Sequence, residues 1–204
     1  MVTRQGHVVL VDANVWFSRT LRDWVCLLAA DLHTSIYTAL WTEDILAETL
    51  ANIRRNKPHL SGGQVAHIRE QIIEVFPEGQ VRDYDSTRPL RDVKDAHVHG
   101  AAVAGGADIL LTQNTKDFVL TEGLEDELPY ELYTPDDFLV LVNSSAPRLV
   151  ERTAHLIDAH NHDKGTPYSV AERLRAAGAP QFACTVAAIL TSGSKPSLIG
   201  HRSD

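Results

Sequence analysis

Short apolar runs alternate with amphipathic segments along the first two thirds of the chain. The apolar runs lie at residues 8–11, 35–40, 109–111 and 131–133, and runs of this length predict buried strands of a parallel sheet. Residues 81–84 predict a further, minor strand. Helical spacing predicts a helix from residue 13 to about residue 30, and another after Thr42, on which Ile45, Leu46, Leu50 and Ile53 share one face. Strands that alternate with helices predict an α/β sandwich.

The pattern changes near Ala146, where three amphipathic segments follow one another without an intervening strand. They cover residues 148–160, 169–177 and 180–190, and they predict a helical appendage over residues 146–191. Residues 192–204 are rich in Ser and Gly and have no periodicity, which is typical of a poorly ordered tail. The sequence thus predicts a domain at residues 1–145, the appendage and the tail.

Charge divides unevenly between these parts. The whole chain carries 19 Lys and Arg against 27 Asp and Glu, a formal net charge of −8. Residues 1–145 hold 12 basic and 22 acidic side chains, a net of −10, whereas residues 146–204 hold 7 and 5, a net of +2. An acidic body argues against nucleic-acid binding by bulk charge, so any nucleic acid must be held by local basic groups.

Neither a membrane nor an oxidising compartment is indicated by the sequence. The chain has no run of about 18 apolar residues, and its first strand begins within about seven residues of the N-terminus, which leaves no room for a signal peptide. A cytoplasmic protein is therefore expected. Cys26 and Cys184 lie in apolar helical segments, where we expect small core residues rather than a disulfide.

Acidic residues stand at both ends of a compact helix-then-strand unit at residues 91–118. Asp92 is a natural N-cap with Asp95 three residues further on, the Ala-rich run 96–104 can propagate the helix, and a pair of glycines can end it. The strand 109–111 follows at once, which places the sequence Thr-Gln-Asn of residues 112–114 at its carboxyl end. In open α/β sheets ligands bind at that edge, so the functional site is expected there.

Four acidic side chains come from positions that such a fold can bring to one point. Asp12 ends the first strand, and Glu48 lies on a helix flank about 60° from the apolar face. Asp95 lies in the first turn of a helix, and Asp117 follows the strand at 109–111. Taken singly, each of them, like Asn14, has an ordinary explanation as a helix cap, a turn former or a solvated side chain.

Taken together, the four acids predict a metal site. Closely packed carboxylates repel each other unless a cation neutralises them, and Mg²⁺ or Mn²⁺ is the natural occupant of an all-oxygen site. In a two-metal arrangement the ions activate a water and stabilise the leaving oxygen of a phosphodiester. This constellation predicts a nuclease.

The densest basic run of the acidic body ends the helix that carries Glu48. Arg54, Arg55 and Lys57 precede Pro58. Cations suit a helix C-terminus in any case, and the alternative is a patch that contacts RNA phosphates. The histidines show no zinc-binding spacing, so ordinary polar or partly buried roles are expected for them.

Four segments, in this order and spacing, resemble the PIN domain. They are VDANV at residues 11–15, the helix bearing Glu48, RDVKDAHV at residues 91–98 and ADILLTQNTKDF at residues 107–118. The resemblance covers residues 7 to about 142. It is closest to the PIN branch whose last motif reads T-x-N-x-x-D-F, which includes toxins of VapBC-type toxin–antitoxin pairs.

The resemblance implies a three-layer α/β/α fold with a mainly parallel sheet, a Mg²⁺- or Mn²⁺-dependent ribonuclease, frequent homodimerisation and, for the toxins, an antitoxin that blocks the site. Asp12, Glu48, Asp95 and Asp117 would be the catalytic metal ligands, supported by Asn14, Asp92, Thr112 and Asn114. Asn114 departs from the pattern, because many PIN domains carry an aspartate there. The fourth acidic role then falls to Asp117, and whether Asn114 ligates metal stays open.

Two other classes of protein compete with this interpretation. A phosphatase of the haloacid-dehalogenase type also uses a strand-end Asp as its nucleophile, but it needs a second acid two residues later, and that position is Asn14 here. A PIN-like fold without catalysis, acting as an RNA- or protein-binding module, is the second alternative. Metal-dependent cleavage of RNA by the pure protein distinguishes it from the nuclease.

Overall fold

A parallel sheet lies at the centre of the computed structural model, which describes residues 6–31, 36–86, 95–118 and 128–192. Its strands are β1 (His7–Val11), β2 (Tyr37–Leu40), β3 (Ile109–Leu111) and β4 (Glu131–Tyr133), in the order β2-β1-β3-β4. Leu10 of β1 lies opposite Leu40 of β2 and Leu110 of β3. Val9, Leu10 and Val11 of β1 are completely buried, as expected for a middle strand of a sheet covered on both faces.

Helices flank this sheet and continue beyond it. They are α1 (Ala13–Phe17), α2 (Arg19–Ala29), α3 (Glu43–Asn56), α4 (Gly62–Val75), α5 (Ala96–Ala104), α6 (Pro135–Ser145), α7 (Pro147–Asp163), α8 (Val170–Ala176) and α9 (Pro180–Ser192). The prediction of an α/β fold with a parallel sheet and a helical C-terminal region is confirmed. Among the described residues, no helix is long and apolar enough to cross a membrane.

The single helix predicted after Asp12 is two helices, α1 and α2. Ser18 separates them, because its backbone is extended and its hydroxyl accepts the N–H of Leu21 at 3.4 Å. Ser18 thereby ends α1 and caps α2, a role for which serine is well suited. The prediction of one continuous helix was wrong because this serine acts as a cap rather than as a helix residue.

The prediction of a minor strand at residues 81–84 was also wrong. The chain pairs there through one isolated bridge between Gln80 and Trp41, flanked by the bonds from Trp41 N to Gly79 O and from Val81 N to Trp41 O, both 2.9 Å long. Pairing stops there because Thr42, the next residue on the partner side, is already the N-cap of α3.

The Ala-rich run forms α5 as predicted, and the glycine pair ends it. Gly105 N donates to Ala101 O at 2.9 Å, and Gly106 adopts the left-handed φ of +59° that a residue with a side chain rarely takes. The predicted N-cap, Asp92, lies outside the described residues. Asp95 directly precedes the first turn, and its side chain makes no capping hydrogen bond.

The C-terminal helices pack on α2 and α6 and share the core of the sheet. Trp24 of α2 meets Phe182 of α9 edge-on, with ring centroids 4.8 Å apart, and Leu149 of α7 belongs to the same buried cluster. Asp136 of α6 accepts the N–H groups of the first turn of α9. The tail predicted at residues 192–204 lies outside the described residues, except that Ser192 is the last residue of α9.

The cysteines agree with the prediction in part. Both are free thiols. Cys26 is half-buried, and burial raises the pKa of its thiol to about 12. Cys184, however, is exposed on α9, so its assignment to the core was wrong; the side chains of Phe182, Ala183 and Val186 form the buried face of that helix instead.

Candidate active site

The carboxylate of Asp12 stands where β1 ends and α1 begins. Its backbone is extended, as an N-cap requires, and its Oδ1 accepts the N–H of Ala13 at 2.5 Å. The side chain is buried, with 6% of the residue exposed. Because β1 is a middle strand, this places a charged group at the carboxyl edge of the sheet, close to the residues that follow β3.

Thr112, the first residue after β3, binds Asp12 directly. Its Oγ1 donates to Asp12 Oδ2 at 2.7 Å, and Asn14 Nδ2 donates to the same oxygen at 2.6 Å. Asn14 Oδ1 in turn accepts the N–H of Gln113 at 3.0 Å. The Thr112 hydroxyl also accepts the N–H of Asn114 at 3.1 Å. Asp12, Asn14 and the segment 112–114 thus form one hydrogen-bonded unit across two neighbouring strands.

Burial and a second acid raise the pKa of Asp12. Burial raises the pKa of its carboxyl most, the hydrogen bonds from Thr112 and Ala13 oppose this rise, and the carboxylate of Glu48 adds to it. The imidazole of His97 acts in the opposite direction. A positive charge placed beside Asp12 and Glu48 would therefore be stabilised by both carboxylates.

Glu48 and His97 face each other from α3 and α5. Their Oε2 and Nε2 atoms are 3.9 Å apart, with 51% and 22% of the side chains exposed. His97 is the residue of this site that the sequence interpretation left among ordinary histidines. Its position two residues after Asp95 was the one available signal. His99, by contrast, is buried in the core, where its Nδ1 lies 2.6 Å from the hydroxyl of Tyr130.

The other two predicted acids, Asp95 and Asp117, lie before and after strand β3 in the sequence. Asp95 is half-buried at the start of α5. Asp117 is half-buried in the 3₁₀ turn Thr115–Phe118, where its N–H donates to Asn114 O at 3.1 Å. Residues 91–94, which include Asp92, and residues 119–127 lie outside the described residues. Of the other predicted acids, Glu48 is the one whose charge raises the pKa of Asp12.

The basic run at the end of α3 divides into two environments. Arg54 and Arg55 are exposed, and Arg55 Nη1 donates to Asn52 Oδ1 at 3.2 Å. Lys57 is the half-buried C-cap, and burial and the nearby guanidinium groups of Arg22 and Arg19 lower the pKa of its amine. Lys57 therefore lies beside the cations of α2, whereas the two arginines face solvent.

The type of donor at the site suits Mg²⁺ or Mn²⁺, which both take oxygen ligands and keep bound water. Oδ1 of Asp12 accepts one protein hydrogen bond, which leaves it a lone pair for a cation, and Glu48 is accessible. Within the described ranges, however, no three His, Cys, Asp or Glu side chains are grouped so that they could hold a metal ion. The donor chemistry fits a metal, and the assignment of Asp12, Glu48, Asp95 and Asp117 as its ligands stays a prediction.

Comparison with known proteins identifies the family. The family model of the PIN domain matches residues 8–116, just over half of the chain. The chain belongs to the PIN domain family, whose members are generally metal-dependent nucleases. The match includes Asp12, Glu48 and Asp95 and ends one residue before Asp117. No curated protein and no solved structure matches the chain.

Proposed function

We propose that the chain is a Mg²⁺- or Mn²⁺-dependent endoribonuclease whose site is built around Asp12. The observation that carries this proposal is the buried Asp12 carboxylate, held by Thr112 and Asn14 and placed beside the second carboxylate of Glu48. Such a pair favours a cation between its members. Its location at the carboxyl edge of a parallel sheet is the location at which α/β proteins bind ligands.

Asp12, Glu48, Asp95 and Asp117 would hold the metal in this proposal. A bound metal ion would lower the pKa of a water so that hydroxide is available to attack a phosphodiester, and it would supply positive charge for the leaving oxygen. Thr112 and Asn14 fix the orientation of the Asp12 carboxylate through their donated hydrogen bonds. Asn114 shapes the loop by its backbone bond to Thr112, with Asp92 a further supporting acid.

We further propose that the ribonuclease is the toxin of a VapBC-type pair in the cytoplasm. The resemblance of residues 112–118 to the T-x-N-x-x-D-F motif supports this role, as does membership of the PIN domain family. An antitoxin that covers the carboxylate cluster and the exposed Arg54 and Arg55 would block both metal and RNA, and the toxin would act as a monomer or a homodimer. A PIN-like module that binds RNA or protein without cleaving it is the alternative.

The test of the catalytic proposal uses Asp12→Asn, Glu48→Gln and Asp158→Asn. Asp158 is an exposed residue of α7 and serves as the matched control. We expect Mn²⁺-stimulated cleavage of single-stranded RNA to fall in both site variants. The loss should exceed roughly 10–100-fold, which is the cost of losing a residue that only supports a metal ligand. The control variant should keep the activity of the parent. The toxin role has its own test: expression of the parent protein alone should arrest growth.

Thermal melting separates a lost site from a lost fold. Asp12→Asn removes a buried charge, but its new NH₂ group faces hydrogen-bond donors of the site. The stability of this variant must therefore be measured. Glu48 is exposed, and its variant is expected to melt as the parent does. Parent-like cleavage by a folded Asp12→Asn would refute the site, and RNA binding by a parent that never cleaves would establish the binding module. Normal growth on expression of an active parent would refute the toxin role.

A further inference from the structure

A cavity of about 570 Å³ opens between α2, α4 and α7, and the candidate active site does not line it. Leu27, Val75, Leu156 and Ile157 form its apolar wall. None of the acids, amides and hydroxyls of the candidate active site lines it. Its volume falls in the range of about 300–1,000 Å³ that is typical of small-molecule sites, which are mostly apolar with a few convergent polar groups.

The buried guanidinium of Arg22 lines this cavity. The residue is 7% exposed, and its hydrogen bond within the described chain runs from Nη1 to the carbonyl of Trp16 at 2.6 Å. A guanidinium carries five N–H donors. Among the described residues Arg22 makes no ion pair. A buried charge without a counter-ion is costly, so the group is suited to bind an anion.

The surroundings of Arg22 carry an excess of positive charge. Arg19 is already paired with Asp23, with Nε and Oδ2 3.6 Å apart. Asp23 also attracts Arg22. The charged residues that line the cavity are Arg19, Arg22 and Lys164 against Asp23 and Glu74, which leaves a formal excess of one positive charge. The positive charges of Arg22 and Arg19 also act on Lys57, where they add to burial in lowering the pKa of the amine. An anion would thus meet a local positive field in an otherwise acidic body.

We propose that this cavity binds a small organic anion, with its phosphate or carboxylate group on Arg22 and Lys164 and its apolar part against Leu27, Val75 and Leu156. The exposed side chain of Leu156, 57% accessible, would be covered by that apolar part. A cavity with one buried guanidinium suits a compact ligand better than an RNA backbone, which needs a row of accessible cations. The proposal does not depend on the nuclease function.

Three probes of one shape test the proposal: 1-naphthyl phosphate, 1-naphthoate and the neutral 1-naphthalenemethanol, titrated calorimetrically into the full chain without divalent metal. We expect one of the anions to bind at one site per chain, at least about tenfold more tightly than the neutral probe. The anion that binds identifies the head group. Arg22→Gln should abolish the difference between the charged and the neutral probe.

Lys164→Glu and Arg148→Gln complete the test. Arg22 holds a buried carbonyl, so its variant can fail to fold; Lys164 is exposed, and reversal of its charge should weaken the anion tenfold or more while the protein melts as the parent does. Arg148 is an exposed arginine of α7 outside the cavity, and its variant should bind as the parent does. Equal affinity for charged and neutral probes, or anion binding that survives both cavity variants, would overturn the proposal.

Discussion

At the scale of single residues, Thr112 holds the candidate site together. Its hydroxyl is buried and takes part in three hydrogen bonds, one donated to Asp12 and two accepted, from Asn14 and from Asn114. A valine of the same shape cannot replace any of them. The hydrogen bond from Thr112 also lowers the pKa of the Asp12 carboxyl against the effect of burial, so the hydroxyl supports the charged form of the acid that is proposed to bind metal.

We therefore predict that Thr112→Val lowers Mn²⁺-stimulated RNA cleavage by about 10–100-fold, as loss of a partner that orients a metal ligand does. It should also cost roughly 1–3 kcal/mol of stability, because two donors lose their acceptor. Thr112→Ser keeps the hydroxyl and should restore most of the cleavage. Activity assays with chemical denaturation of all three proteins check this. Equal activity of the valine and serine variants would show that the hydroxyl does not position Asp12.

The sequence placed Asp12 and Thr112 each at the carboxyl end of a strand, and in parallel strands these ends lie at one edge of the sheet. The hydrogen bond between the two side chains was not predicted, and their proposed roles stay predictions. The contact of Glu48 with His97 was not predicted. It joins α3 to α5, and periodicity along either helix does not reveal which turns of two separate helices face each other. Asp95 and Asp117 stay predictions as metal ligands.

At the scale of elements, one carboxylate connects the C-terminal helices to the sheet domain. Asp136 of α6 is buried, and its two oxygens accept Gln181 N at 3.0 Å and Phe182 N at 2.9 Å. It therefore caps α9 from another helix, where an N-terminus attracts negative charge. The adjacent Phe182 packs against Trp24 of α2, so the cap also fixes the position of an aromatic contact in the core.

We predict that Asp136→Ala lowers the free energy of unfolding by about 2 kcal/mol or more, because two N–H groups in a partly buried helix start lose their acceptor. The neighbouring Asp137 is exposed and bonds locally to Thr134, so Asp137→Ala should cost less than about 1 kcal/mol. Urea denaturation followed by circular dichroism measures both. Hydrogen exchange of the α9 amides should rise in the first variant; equal losses in the two variants would contradict the capping role.

Some helix boundaries can be predicted from sequence patterns, and others cannot. The helix start after Thr42 was predicted, and the Thr42 side chain accepts the N–H of Ile45 as a cap. Ser61 and Thr134 cap α4 and α6 in the same way. Ser18 does the same between α1 and α2, but it lies in a continuous helical pattern that hid the break. A cap of α9 that comes from Asp136, more than forty residues away, cannot be read from local sequence.

At the scale of the whole molecule, the distribution of charge sets a problem for an RNA substrate. Residues 1–145 carry a net charge of −10, so a polyanion that approaches the carboxylate edge is repelled except where cations are exposed. The structure reduces the number of basic residues that could contact RNA. Arg54 and Arg55 face solvent, whereas Lys57 is half-buried and feels the charges of Arg19 and Arg22. The two arginines lie on α3, the helix that also carries Glu48, and are therefore the better candidates for phosphate contacts.

We predict that Arg54→Gln combined with Arg55→Gln weakens the binding of single-stranded RNA and reduces the slope of log affinity against log salt by about 1.4, the value for two lost phosphate contacts at roughly 0.7 each. Fluorescence anisotropy between about 50 and 200 mM salt measures the slope. Calorimetric Mn²⁺ affinity should not change, because neither arginine touches Asp12.

Arg82→Gln is the control. This exposed arginine lies with Gly6 and Val8 near the amino ends of the strands, so the salt slope of this variant should equal that of the parent. An unchanged slope in the double variant would remove this patch from the RNA path and leave the net-positive C-terminal helices as the surface that holds RNA.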